Sequence, residues 1–362
     1  MFSSTIPSVK VVRSIEVVRD QVARLHRSMM PAPAVMMELV TGAWVAQAIV
    51  AAADLGIADA LADRPMSADE LATAVNAEAD TINRLLRALI TRGIFRQHRD
   101  GRYDLTPLAD SLRSDAEVSL AAFARFVGSP QHREHWSHLT DAIRTGRAVI
   151  PALRGKPAFE YLHEEPELAE IFNDAMTSSS ELAVASVTAG YDFSHYPTIV
   201  DVGGGHGRML AAILDVTPRS RGILFDLPHV VAGAPAVLEE HRVAERIRIV
   251  EGSFFDAVPA GGDAYILKNV IHDWPDDDAV RILGNVRKAA APGKNVLLVE
   301  LVIPQHNRDF LGKWLDLEML VGAGARERSA AEYGQLLSSA GFRMTRVVET
   351  ASPFSVVEAI AV

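Results

Sequence analysis

A chain of 362 residues, 49% hydrophobic and 23% charged, is long enough for two domains with substantial cores and has the composition of a soluble globular protein. Its 36 basic residues against 46 acidic ones leave a formal charge of −10, which disfavours unspecific attraction to a nucleic-acid backbone. The absence of cysteine excludes disulfides, thiolate metal sites and cysteine nucleophiles.

The first predicted element covers residues 11 to 29, where Val11, Ile15, Val18, Val22, Leu25 and Met29 recur at alternating spacings of four and three and share one helical face. That face either looks into a core or forms an arm against a partner chain. Lys10, Arg13, Glu16, Arg19 and Asp20 interrupt the segment, so it does not read as a signal peptide and a cytoplasmic protein is expected. Pro31 and Pro33 end the helix. Leu39 to Ala53 then runs for 15 residues without a charge. That is too short for a membrane span and suits a helix buried between two subunits.

Ser67-Ala68-Asp69-Glu70 is a capping box that opens a short helix, and Asp80 is expected to cap the next, through Ile82, Leu85, Leu86, Leu89 and Ile90. Beyond Gly93, the runs Ile94 to Gln97 and Tyr103 to Leu105 flank Asp100-Gly101, a tight-turn pair that predicts a hairpin. Two helices and a hairpin make a winged helix. Such a shape often binds DNA, and Arg84, Arg87, Arg92, Arg96, Arg99 and Arg102 lend local positive charge. The apolar helix before it favours an interaction surface instead. Helical segments continue from Leu120 to about Gly190.

Apolar strands at 198–202, 222–225, 246–250, 263–267 and 295–302, separated by helical runs, predict an α/β fold with a parallel sheet covered on both faces. Phe342 to Glu349 and Ser355 to Val362 predict a closing antiparallel pair. The most informative junction follows the first of these strands: Val200-Asp201-Val202 runs into Gly203-Gly204-Gly205-His206-Gly207 and then a helix from Arg208. That strand, turn and helix N-terminus seat nucleotide-like ligands. The next strand ends in Asp226, 23 positions after Gly203, about where such folds place a carboxylate on the ribose hydroxyls. Arg208 and Leu210 stand where a dinucleotide fingerprint wants its last glycine, so the pyrophosphate grip is incomplete. S-adenosylmethionine, with a ribose and no phosphates, suits the pattern better.

His272 follows the fourth strand of the series and therefore lies at the carboxyl edge of the sheet, where open α/β folds bind ligands. Glu300 ends the next strand at the same edge, and Glu327 follows the amphipathic segment Trp314 to Leu320. A histidine oriented by a carboxylate is the usual build of a general base. Asp273 and the run Asp276-Asp277-Asp278 could suggest a metal site, but Asp276 is expected to cap the helix that follows.

Together the glycine turn, Phe225-Asp226-Leu227-Pro228-His229-Val230, Leu267-Lys268 with His272-Asp273-Trp274, and Val299-Glu300 with Pro304 occur in an order that resembles one family over nearly the whole chain. It is that of the class I S-adenosylmethionine-dependent small-molecule O-methyltransferases, of the plant caffeate and bacterial polyketide type. The resemblance implies a Rossmann-like doubly wound sheet in a catalytic domain over 116–362, preceded by a helical winged-helix dimerisation domain over 1–115. It also implies a homodimer and no metal, while the net charge and the short apolar run lead us to expect no nucleic-acid or membrane partner. Carried over by position, Gly203, Asp226, Leu227, Ser253, Phe254 and Lys268 line the cofactor with Ser180 near it, and His272 is the base flanked by Glu300 and Glu327. Phe172, Met176 and Asn269 face the acceptor, although Phe172 and Met176 are also an ordinary i, i+4 helical pair. Ser253 stands where many relatives have an aspartate that meets the adenine amino group. The activity implied is methylation of a phenol-like hydroxyl on a small aromatic molecule. Two rivals stay open: a relative with a kept cofactor pocket that performs N-methylation or hydroxylation, and a ligand-sensing winged-helix regulator.

Overall fold

Among the described residues nine strands form: β1 Phe95–Gln97, β2 Tyr103–Leu105, β3 Thr198–Val202, β4 Arg221–Asp226, β5 Ile247–Glu251, β6 Ala264–Lys268, β7 Asn295–Glu300, β8 Phe342–Glu349 and β9 Ser355–Ala361. They are seen in a computed structural model that describes residues 6–116 and 118–362, the side chains of 179–182 excepted. The chain divides into two units. One comprises Met1–Gln21, His138–Ala158 and Leu182–Val362, the other Val22–Ser137 and Phe159–Glu181.

The first unit is built on a seven-stranded sheet in the order β5-β4-β3-β6-β7-β9-β8. β5 to β7 run parallel in that order, whereas β9 is antiparallel to both β7 and β8. The expected strands form within a residue or two of the sequence reading, as does the closing pair. Parallel strands buried on both faces must be apolar throughout, and alternate residues accordingly enter two different cores. Val200, Val202, Tyr265, Leu267, Val296 and Leu298 pack on one face with Ile282 and Val286 of the helix Asp276–Ala289 and Leu337 of the helix Ala330–Ser339. Ile199, Leu224, Ile266, Leu297 and Val299 pack on the other with Leu210 and Ile213 of the helix Arg208–Val216. The chain moves outward from β3 to β4 and β5, then returns to place β6 on the other side of β3. That reversal opens a crevice at the carboxyl ends of β3 and β6, the usual ligand position in such sheets.

In the second unit the helices Ala68–Ala74 and Ala79–Ile90 and the β1–β2 hairpin pack around Ile57, Leu71, Ile82, Leu86, Phe95 and Tyr103, the winged-helix arrangement. The Ser67 capping box forms as expected. Asp80 is not the cap of the next helix: Glu78 holds that position, and its carboxylate accepts from the Thr81 N–H. Asp276 is likewise no cap. It stands at the first position of its helix after Pro275 and makes no capping bond there. The helix Ala32–Asp54 runs for 23 residues and buries only Ala52 and Ala53 within the chain. Met36, Met37, Leu39, Val40 and Trp44 remain exposed on it, Trp44 by 74%. The preceding helix, Val9–Ser28, buries none of its residues, so Val11, Ile15, Val18, Val22 and Leu25 do not face a core of their own chain.

Candidate active site

The glycine turn is shaped by backbone sterics. Gly203, Gly205 and Gly207 take φ of 70°, 59° and 82°, a region that side chains with a Cβ enter at a cost. A Cβ on Gly203 would come within 2.9 Å of the Val270 side chain and 3.4 Å of the Phe254 ring. The turn is fastened to β4: the Gly203 N–H donates to the Phe225 carbonyl at 2.8 Å, and Gly205 N–H to Asp226 Oδ2 at 2.8 Å. The other oxygen of Asp226 accepts from the Leu227 N–H at 2.7 Å. Each carboxylate oxygen keeps a second acceptor site for a ligand hydroxyl.

Around this turn the expected residues assemble. Phe254 sets its ring edge-on to Trp274 at 6.0 Å, next to Phe255. Leu227 is 40% exposed. Ser253 Oγ accepts from the Phe255 N–H at 3.2 Å and so shapes the turn after β5, a bond that leaves its O–H donor unused. Lys268 ends β6, and its ammonium lies 5.7 Å from the centre of the Phe354 ring. Burial pushes its pKa down to about 8 against the opposing pull of Glu300, Asp201 and Asp273. Asp201 Oδ2 and Asn269 Oδ1 are buried acceptors without a hydrogen-bond partner among the described residues, as are Glu300 Oε2 and Glu327 Oε2 farther along the sheet edge. Asn269 also holds φ at 52°, and burial raises Asp201 to about 7. Orphan acceptors beside a turn that tolerates no Cβ fit a polar, ribose-bearing ligand. Asp201 belongs to the motif quoted from the sequence but carries no role there, although a lone charge inside an apolar strand is a usable signal.

The imidazole of His272 sits on a short 3₁₀ turn, Ile271–Asp273, shortly after β6. Its Nδ1 lies 2.8 Å from Glu327 Oε1 and its Nε2 3.3 Å from Asp273 Oδ1. Glu300, fully buried, takes a different part: its Oε1 accepts the N–H groups of Val270 at 3.3 Å and Ile271 at 3.0 Å, and so holds the backbone on which His272 rides. Glu327 is fixed in turn through its own N–H, which donates to Asp316 Oδ1 at 3.0 Å. Burial alone would lower the pKa of His272. The Asp273 and Glu300 charges and the Glu327 hydrogen bond outweigh it and push the value up to about 10. Burial lifts Glu300 to about 7 despite the favourable imidazolium. This arrangement can take a proton at His272 and stabilise the cation that results. Asp273, which the sequence offers only as part of a metal-site suggestion, is the second carboxylate on the ring.

One donor atom each from His272, Glu300 and Glu327 lie within 4.8 Å of one another, a spacing that could also hold a metal ion. The ring nitrogen nearer Glu327 is engaged by that carboxylate, and one oxygen of Glu300 is engaged by backbone N–H groups. If the cluster serves proton transfer, activity should be unchanged after dialysis against a strong chelator. A loss that only a divalent cation restores would reverse that reading.

Phe172 and Met176 lie on the helix Pro166–Gly190 in the other unit, where Phe172 meets Phe126 edge-on at 5.2 Å. The side chain of Ser180 lies outside the described residues.

Known proteins with similar sequences include methyltransferases. A family model for an O-methyltransferase domain matches residues 136–343, and one for an O-methyltransferase dimerisation domain matches residues 37–115. The chain is 41% identical over 329 residues to phenazine O-methyltransferase PhzM of Lysobacter antibioticus, covering 91% of this chain and 96% of that protein. It is 33% identical to 8-amino-8-demethylriboflavin N,N-dimethyltransferase of Streptomyces davaonensis, covering 87% and 91%. One similar solved structure is that of NcsB1, an O-methyltransferase from neocarzinostatin biosynthesis, in complex with S-adenosylmethionine and 2-hydroxy-5-methyl naphthoic acid. The match has a TM-score of 0.74 and 34% identity, and covers 88% of this chain and 96% of that one.

Proposed function

The chain belongs to the S-adenosylmethionine-dependent O-methyltransferase family, and from that premise we propose that it methylates a phenol-like hydroxyl of a small aromatic molecule with His272 as general base. The observation that carries the proposal is the 2.8 Å contact between His272 Nδ1 and Glu327 at the carboxyl edge of the sheet. When bound, the cofactor supplies an electrophilic methyl group on a sulfonium. Gly203, Asp226, Leu227, Phe254 and Lys268 would line it, with Ser253 acting through the turn it shapes and Ser180 near it. Phe172, Met176 and Asn269 are assigned to the acceptor.

A phenol has a pKa of about 10 and is a poor nucleophile at neutral pH until its proton leaves. Nε2 of His272 would take that proton, displacing its contact with Asp273, while Glu327 holds the ring through Nδ1. Fixing base and hydroxyl in one crevice removes the cost of a bimolecular encounter. Glu300 would serve the same end through the Val270 and Ile271 backbone. The relatives support an aromatic acceptor, and the riboflavin N,N-dimethyltransferase among them keeps an arylamine as the second reading. A matched set of phenols and arylamines, assayed for methyl transfer, tests the choice; turnover of amines alone would overturn the hydroxyl assignment.

Residues 1–115 are assigned to dimerisation and 116–362 to catalysis. The apolar strip of Met36, Met37, Leu39, Val40 and Trp44 would be covered by a second copy, as burial of several large apolar side chains contributes on the order of 1.5–3 kcal/mol each. Light scattering at micromolar concentration should report a dimer, and Trp44→Glu should shift it toward monomer. A wild-type monomer under those conditions would defeat the assignment.

A further inference from the structure

The groups proposed for proton transfer arrive on three separate segments: His272 on the turn after β6, Glu300 at the end of β7, and Glu327 on the stretch before the helix Ala330–Ser339. One residue touches all three. Arg328 is 1% exposed, and its backbone carbonyl accepts from the Ile303 N–H at 2.9 Å, three positions beyond Glu300, where Ile303 and Ser329 form an isolated parallel bridge. Its side chain reaches the other way. Nη1 donates to the Ile271 carbonyl at 3.0 Å and Nη2 to the Trp274 carbonyl at 3.0 Å, so the guanidinium grips the backbone on both sides of His272. Nε and Nη2 also hold Asp276 Oδ1 at 3.0 Å and 2.6 Å, and Nη1 reaches the Arg326 carbonyl at 3.3 Å.

A guanidinium has five N–H donors, and here there are five contacts for them. Taking such a cation out of water is costly unless it is paired and fully bonded, so the site holds it in one geometry. Asp276 supplies the counter-charge from the first turn of its helix, where a carboxylate is also favoured by the helix dipole. Lysine cannot reproduce the grip, because its ammonium offers three donors and no planar fork.

We propose that Arg328 is a positioning residue for methyl transfer, setting the distance between His272 and Glu327 by tying both flanks of the histidine turn to the segment that carries the glutamate. The proposal rests on the reading of His272 as the base, and Arg328 acts through that residue rather than on either substrate. Glu327 precedes Arg328 in the chain, so any slackening of the guanidinium moves the carboxylate and the imidazole independently.

The test is a double-mutant cycle on the full chain with S-adenosylmethionine and a phenol acceptor. Arg328→Lys should lower kcat by about 10- to 100-fold with the acceptor KM and the cofactor Kd within about threefold of wild type. The same change made in His272→Ala should cost less than about threefold more, since residues that act as a unit are not additive. Guanidinium in the buffer should restore part of the kcat of Arg328→Ala. Losses that add in the double variant, or an Arg328→Lys enzyme with wild-type kcat, overturn the proposal while leaving the base assignment standing. Full activity in His272→Ala alone instead overturns the base assignment. Should Arg328→Lys fail to bind the cofactor, Asp276→Asn carries the test. A reduced kcat at unchanged cofactor affinity is then expected, and an unchanged kcat overturns the proposal.

Discussion

Replacing His272 with alanine should reduce kcat on an ordinary phenol by about 10²- to 10⁴-fold, the usual worth of general-base assistance, while cofactor affinity stays close to wild type. The pH dependence separates this from a mere loss of packing. The carboxylates around His272 raise its pKa to about 10, so in the protein alone the imidazolium dominates at neutral pH and the free base is the minor form. A base must be unprotonated to act, so wild-type activity should rise with pH, about tenfold per unit at the acid end, and level off only as the imidazolium or the acceptor ionises. In His272→Ala the rise should follow the acceptor alone. With an acceptor ionised near neutrality the deficit of the variant should therefore shrink, and high pH should rescue it with weaker acids because solvent then removes the proton. The measurement is the pH–rate profile of both proteins on two acceptors of different pKa. Full activity of the variant on the weaker acid at pH 7 would mean that positioning alone explains the rate.

The second large effect is expected at Asp226. Its two oxygens hold the Gly205 and Leu227 N–H groups, so the carboxylate both shapes the glycine turn and is proposed to receive the ribose hydroxyls. A charged hydrogen bond contributes about 1.5–3 kcal/mol, and Asp226→Ala should weaken S-adenosylmethionine binding by about ten- to a hundredfold. Asp226→Asn should fall between, since the amide keeps one acceptor oxygen and loses the charge. Calorimetry on the unliganded protein decides the matter: an unchanged Kd for Asp226→Ala would remove Asp226 from the cofactor site.

Much of the sheet could be read from the chain because its central strands are largely apolar on both faces and most are separated by helices, so pattern and length agree. The glycine turn was legible for the same reason: Gly203 to Gly207 break the pattern where a strand should meet a helix. Helix starts were less so. Asp80 and Asp276 both look like caps, yet Glu78 and Pro275 take those positions, because a cap is decided by the φ and ψ of one residue and several polar candidates stood side by side. His272 and Glu327 stand 55 positions apart, so no spacing pairs them; they are candidates because both fall beyond elements of the sheet's carboxyl edge, and their roles rest on the resemblance. Arg328 could not have been found at all from side-chain chemistry alone. Most of its partners are backbone carbonyls, which carry no signature in the sequence.

The position of β9 has a consequence for how the molecule is made. It follows β8 in the chain but lies between β8 and β7, so β8 has no place on the sheet until β9 arrives. During synthesis β7 is therefore an unpaired, apolar edge while the remaining segments emerge, and such an edge readily recruits strands from other chains. The enclosed strand that completes the sheet is thus also a late, long-range closure of the first unit, the kind of contact that forms slowly. Substitutions that weaken β9, such as Val357→Asp in its buried centre, should reveal themselves first as aggregation during expression rather than as altered chemistry in the protein that does fold.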